Sequence, residues 1–195
     1  MVPCVAAQKI LPDPGGSHKI MKAVPSPVVT DLVQIRRLGD KKREENSRFR
    51  KYLKTHDYPD KKFRRAAERI EDEIDCRSCA NCCRVAETPI TSRDVERISK
   101  HMGLRERDFL ERYAEETTNG LVLRRTETGC VFLDGNDCLI YDHRPHNCAD
   151  FPHVVRGAGS ITFRMWEFID RACYCPIVYN TLEAFKDEVA FPRSR

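Results

Sequence analysis

Cys76-Arg-Ser-Cys79-Ala-Asn-Cys82-Cys83 places four cysteines in eight positions, and the reading of the whole chain starts there. A Cys-x-x-Cys turn lets two sulfurs converge on one centre, because the residues between them form a tight loop whose amides can also donate to sulfur. Two overlapping copies put Cys76, Cys79 and Cys82 on one side of a single loop. Cys83 is different, since adjacent residues do not point to the same place. It either serves a second site or buries itself as a small apolar residue. For the group of four, simple burial does not account for the density.

Working outward, Cys130, Cys138, Cys148, Cys173 and Cys175 make a second series. Asp134-Gly135-Asn136-Asp137 reads as the turn of a β-hairpin between Cys130-Val-Phe-Leu and Cys138-Leu-Ile-Tyr, which brings Cys130 and Cys138 together across its open end. Cys148 follows Arg144-Pro145 and is expected on a rigid turn or short helix. Pro176 fixes the backbone just past Cys175. A triple-cysteine loop completed by a remote Cys-Pro is ferredoxin-type ligand chemistry, so Cys76, Cys79, Cys82 and Cys175 are the expected seat of a 4Fe–4S cluster. Zinc takes its ligands as separated pairs, which Cys130 and Cys138 with Cys148 suit better. Iron–sulfur is preferred, and zinc stays open.

With these residues in place, the stretch from Cys76 to Pro176 resembles the YkgJ-type cysteine-cluster family, the zinc- or iron-chelating CxxCxxCC domain. The resemblance rests on Cys76 to Arg84, on the helix after Thr91 with Asp94 and Gly103, on Cys130-Val-Phe-Leu with Cys138-Leu-Ile-Tyr141, and on Arg144-Pro-His-Asn-Cys148-Ala-Asp-Phe151-Pro152. It implies metal chelation with Cys76, Cys79, Cys82, Cys83, Cys130, Cys138, Cys148 and Cys175 as ligands, and leaves Cys173 as an extra. Ala80-Asn81 stands where the family usually has a glycine before the double cysteine. Flagellin lysine methylases are similar in their cysteine cluster. A cluster-dependent enzyme, such as a protein methyltransferase, is therefore the alternative to a binding, redox or maturation role, with no catalytic residue assigned.

The totals agree with a metal-organised chain. There are ten cysteines in 195 residues, with no apolar run approaching the ~18 needed to cross a bilayer. The first 22 residues are interrupted by Pro3, Pro12, Pro14 and Gly15-Gly16, which is not a signal peptide. The expected location is the cytoplasm, where reduced thiols favour metal binding over disulfides. The net charge of +4 is uneven: residues 1–75 hold 17 Lys/Arg against 12 Asp/Glu, so the basic character lies ahead of the cysteines.

The organisation expected is a tail over 1–27, a basic helical extension over 28–75, a cysteine-cluster domain over 76–179 and a C-terminal helix and tail over 180–195. The fold class is α+β, a small metal-organised domain with one hairpin and short helices behind a helical extension. Asp31 and Thr30 offer helix-capping chemistry, Gly39 marks a bend, and a helix after Pro59-Asp60 delivers the chain to Cys76. Thr91-x-x-Asp94 resembles a capping box, and Gly103 ends that helix. A helix carrying Phe109 and Tyr113 is stopped by Asn119-Gly120, Leu121 to Leu123 read as a strand, and Ile161, Phe163 and Met165 as another. A closing helix spans about Thr181 to Ala190.

Lesser signals have plainer readings beside them. His143 and His146 read as surface histidines, and His153 as a second-shell candidate. Arg84 and Arg144 either donate to thiolate sulfur or form loop salt bridges. Residues 36–54 carry nine Lys/Arg against three acids. A structural-zinc module binding nucleic acid through this helix is the second alternative, but a solvated face explains the run as well. A protein partner stays open, and no membrane is expected.

Overall fold

The computed structural model describes residues 27–193; Cys4 and all but the last residue of the expected tail lie outside them. The Asp31 carboxylate accepts the Gln34 N–H at 2.7 Å and starts α1 (Leu32–Lys41). The helices α2 (Arg43–His56) and α3 (Asp60–Glu73) follow, and the latter ends at Ile74, two residues before Cys76. Two single-turn helices carry the first cysteines, α4 (Cys76–Cys79) and α5 (Asn81–Val85). Next come α6 (Ser92–His101), capped by the complete Thr91/Asp94 box, and α7 (Glu106–Tyr113).

Three antiparallel hairpins then succeed one another. They pair β1 (Ala114–Thr117) with β2 (Gly120–Leu123), β3 (Arg125–Thr126) with β4 (Gly129–Cys130), and β5 (Leu133–Asp134) with β6 (Asp137–Cys138). A 3-10 turn (Tyr141–His143) and α8 (His146–Asp150) complete the middle, and α9 (Ile161–Arg171) and α10 (Pro176–Glu188) close the chain. The fold is α+β.

Two apolar cores form. In the first, α3 packs on α10 and α2 on α9, so both ends of the described chain contribute. Phe49, Phe63, Phe168 and Phe185 are fully buried there, with the Phe63 ring edge-on to Phe185 at 5.1 Å. Burying each such side chain contributes about 1.5–3 kcal/mol. The Lys186 ammonium is also buried, held by Glu45 at 2.6 Å and Glu183 at 2.7 Å, so its charge is compensated. The second core gathers Ile90, Val95, Ile98, Phe109, Leu123, Phe132 and Ile140. Cys175 belongs to the first core, whereas Cys130 and Cys138 pack against the second. The cysteines therefore lie at the seam.

Several local expectations change. Ile161, Phe163 and Met165 are helical, not a strand. The buried positions are Ile161, Met165 and Phe168, a helical spacing, while Phe163 is 75% exposed; the apparent alternation came from counting Phe163 as inward. The helix before Asn119-Gly120 ends earlier, at Tyr113, and Thr118 with Asn119 turns the β1–β2 hairpin, with Gly120 opening β2. The closing helix begins at Pro176 instead of Thr181, because proline at the first helical position needs no hydrogen-bond partner. Gly39 does more than weaken a helix. A Cβ there would stand 2.6 Å from the Ala172 carbonyl oxygen and from Cys173 Cα, so glycine permits α1 to touch the end of α9.

Candidate metal centre

All nine described cysteines carry free thiols. The loop from Cys76 to Cys83 is two helical turns hinged at Ala80, whose φ of 46° and ψ of 16° are left-handed. This is the conformation for which glycine is favoured, next to the double cysteine where the resemblance leads one to expect a glycine. The Cβ of Ala80 is tolerated and buried. Asn81 Nδ2 donates to the Tyr174 carbonyl at 2.7 Å and so ties this loop to the turn that ends in Cys175.

Cys130 and Cys138 do come together, but not on opposite strands of one hairpin. Cys130 pairs with Arg125 in the β3–β4 hairpin, and Cys138 pairs with Leu133 in the next. Gly129 brings β4 against the cysteine loop: its φ is 142°, and a Cβ would lie 2.7 Å from the Cys83 carbonyl oxygen. Cys148 sits on α8, with its thiol 3.9 Å from the Thr88 hydroxyl.

Burial, with smaller effects of neighbouring thiols, raises most of these cysteines. Burial pushes the Cys175 thiol up to about 12, and Cys76 and Cys79 add to this. Burial also raises Cys76 to about 11, with help from Glu71, Cys79 and Asp75. On the other side, burial raises Cys148 to about 12, reinforced by Cys83, Cys130 and Cys138. Cys130 and Cys138 are raised by burial too, and each feels Cys83. At the double cysteine the Sγ atoms of Cys82 and Cys83 stand 4.0 Å apart, and Cys82 feels both Cys175 and Cys148. The contact with Cys83, and then burial, raises Cys82. Cys83 falls to about 7 through that contact, with Arg84 and Arg125 assisting against burial.

Two cavities touch these thiols and share Cys76 and Cys82. A small one of about 20 Å³ is lined by Cys76, Cys79, Cys82 and Cys175. A second, of about 730 Å³, is lined by Cys83, Cys130, Cys138 and Cys148, together with Cys76 and Cys82. Among the described residues, no three His, Cys, Asp or Glu side chains already stand as a bound metal ion would require. The donor set nevertheless fits a thiophilic metal in type, number and enclosure. Half-buried thiols that repel one another as anions gain from a shared cation, and ligand convergence is coupled to its binding.

The remaining expected residues divide. His146 is exposed and pairs with Asp150 at 3.3 Å, and the His143 ring stacks on His101 at 3.7 Å, so both stand apart from the sulfurs. His153 is buried against Phe151 and lines neither cavity; burial lowers it to about 4, with Arg171 and Arg164 adding to the effect. Arg84 donates to the Cys79 carbonyl at 2.9 Å, to the Gly135 carbonyl at 2.8 Å and to Asn136 Oδ1. It acts on the cysteine loop through the backbone. Arg144 donates to the Tyr141 carbonyl at 2.9 Å, and its charge partly offsets the rise that burial imposes on Cys138. Cys173 lines neither cavity and donates to the Ile169 carbonyl at 3.7 Å. On the basic helices, Lys42 pairs with Glu183 and Arg43 with Asp170 at 3.3 Å, so part of that charge is used internally.

Two features escaped the sequence. Arg125 donates to the Ala86 carbonyl at 2.6 Å and to the Arg84 carbonyl, capping the helix that bears Cys82 and Cys83. Its only advance signal was a place five residues before Cys130. Asp94 does more than cap α6, because its Oδ1 accepts the His146 N–H at 3.0 Å and Arg97 at 2.8 Å. Arg97 in turn donates to the carbonyls of His143 at 2.6 Å and Arg144 at 2.9 Å. The pair fastens the segment that leads into Cys148.

Neither the curated proteins nor the solved structures contain a match to this chain. A family model does match, over residues 75–176, which is 102 of the 195 residues. It spans the paired loop, all three thiol-bearing hairpin and helix positions, and the final Cys-Pro. The chain belongs to the CxxCxxCC family, whose domain is described as zinc- or iron-chelating.

Proposed function

We propose that this chain holds metal at two adjacent four-thiolate centres, one of Cys76, Cys79, Cys82 and Cys175 and one of Cys83, Cys130, Cys138 and Cys148. The observation that supports this reading is a small cavity lined by Cys76, Cys79, Cys82 and Cys175 beside a larger one that Cys83, Cys130, Cys138 and Cys148 line together with Cys76 and Cys82. When bound, the metal supplies positive charge that stabilises the thiolates and, as iron, redox capacity. The protein's own part is to bury the sulfurs, to bind the loop carbonyls through Arg84 and Arg125, and to hold Cys148 through Asp94 and Arg97.

Iron–sulfur is the form we propose for the first set, on the strength of its triple-cysteine loop and remote Cys-Pro. The small size of the cavity that these four cysteines line, about 20 Å³, favours the second reading, a closed four-thiolate zinc site. Anaerobic purification followed by iron, zinc and acid-labile sulfide analysis with a visible spectrum separates them. Iron matched by sulfide supports the cluster, and colourless protein with two zinc ions supports the second reading. Protein that retains neither metal refutes both. Cys175→Ser and Cys148→Ser are each expected to lose one centre, whereas Cys173→Ser keeps the full complement.

A further inference from the structure

The outer side of α9 is unusual for a helix that helps build a core. Ile161, Met165 and Phe168 point inward, yet Phe163 is 75% exposed and Trp166 is 61% exposed. Residues three apart are neighbours on a helix surface, so the two rings stand side by side. A lone exposed ring needs no explanation, but two adjacent aromatic faces offer a platform. Neither ring lines a cavity that touches the thiols.

The helix beside this platform is the basic one. α2 packs against α9 and runs antiparallel to it. Arg43 at the start of α2 meets Asp170 at 3.3 Å, and Asp60, just past its end, accepts the Ile161 N–H at 3.1 Å. Between these anchors, the stretch from Asn46 to His56 runs alongside Phe163 and Trp166. It carries Arg48, Arg50, Lys51 and Lys54 and no carboxylate. Lys51 and Lys54 are exposed and form no ion pair among the described residues.

The carboxylates nearby are either compensated or at the margins. Glu167 is held by Arg164 at 3.0 Å and Arg171 at 2.8 Å, and Arg43 engages both Asp40 and Asp170. Glu45 is taken up by Lys186 at 2.6 Å. Glu44 and Asp57 are exposed, and they mark the two ends of α2. Between those ends neither helix presents an uncompensated negative charge. Open cations beside two flat aromatic faces match a strand of unpaired bases joined by phosphates, which pairs a charged groove with ring stacking. A bilayer asks for a continuous apolar face, whereas here the rings stand among Thr162, Arg164, Glu167 and Asp170.

We propose that this face binds single-stranded nucleic acid, its bases stacked on Phe163 and Trp166 and its phosphates on Lys51 and Lys54. Trp166 is the single tryptophan of the chain, so its fluorescence reports on the platform directly. The probe is an oligothymidylate of about twelve nucleotides, end-labelled for anisotropy and added to the full chain at low salt. Saturable binding at one strand per chain is expected, with quenching of Trp166 and about tenfold weaker binding of a duplex of the same length. Phe163→Ala should weaken the strand about tenfold. Lys51→Gln with Lys54→Gln should reduce the slope of log affinity against log salt by about 1.4. All three residues are exposed, so circular dichroism of the variants should match wild type. No saturable binding overturns the proposal, as does binding that leaves Trp166 unquenched, duplex binding of equal strength or indifference to Phe163→Ala. A blue shift of Trp166 on phosphatidylserine vesicles without quenching by the strand overturns it in favour of a membrane surface. A Trp166 spectrum that shifts with protein concentration alone overturns it in favour of a second copy of the chain.

Discussion

At the scale of single residues, two backbone positions hold the double cysteine in place. Ala80 occupies left-handed space, which costs a side-chain-bearing residue roughly 1–2 kcal/mol. Ala80→Gly should therefore raise the melting temperature without changing metal content, while Ala80→Val should lower both, since a β-branched residue fits that conformation poorly. Calorimetry with metal analysis checks the pair, and a lower melting temperature for the glycine variant would refute the strain. Gly129 presents the opposite case. Its φ of 142° and the 2.7 Å approach of the Cys83 carbonyl leave no room for a methyl group. Gly129→Ala is expected to cost about 1–3 kcal/mol and to displace Cys83, reducing metal at the second set. Neither effect can be seen in cysteine spacing, because spacing along the chain says nothing of how closely two backbones pass.

At the scale of elements, the segment bearing Cys148 depends on α6. Asp94 is buried, which opposes its ionisation, yet hydrogen bonds from the Thr91 and His146 N–H groups, the Thr91 hydroxyl and Arg97 hold its carboxyl below 3.8. A carboxyl depressed in the folded state contributes stability that is complete above its unfolded value and is lost as pH falls through the folded one. Asp94→Asn should thus be less stable than wild type at neutral pH by about 1–3 kcal/mol, and the gap should narrow below about pH 4. Urea titrations across that range test this. Acid loss of metal is common to both proteins, so the gap isolates Asp94, and a gap that widens in acid would contradict the assignment. The capping box itself was legible, from Thr91 and Asp94 three residues apart. That the same carboxylate reaches His146, 52 residues away, was not.

At the scale of the whole molecule, the thiols join two cores. Cys175 lies in the core built by α1 to α3 with α9 and α10, while Cys130 and Cys138 lie against the core of α6, α7 and β2. A ligand that binds only the folded state stabilises it by about 4 kcal/mol at a thousandfold excess over its dissociation constant. Removing metal with a chelator under reducing conditions should accordingly lower the melting temperature and split one transition into two, because the cross-link between the cores is lost. Scanning calorimetry of loaded and stripped protein checks it. A single transition unchanged by stripping would mean that metal does not bridge the seam.

The sequence alone determined the metal-binding family, the α+β class, the helix starts at Asp31, Asp60 and Thr91, and the cysteine-rich loop. These depend on residues within a few positions of one another, where spacing, capping and turn chemistry act directly. Only the tertiary structure decided that Cys130 and Cys138 fall on successive hairpins, which arginines hold the loop, that Phe163 lies on a helix, and that a cavity opens beside Cys83, Cys130, Cys138 and Cys148. Each of these depends on which surfaces of distant segments meet, a matter of packing that no local pattern records.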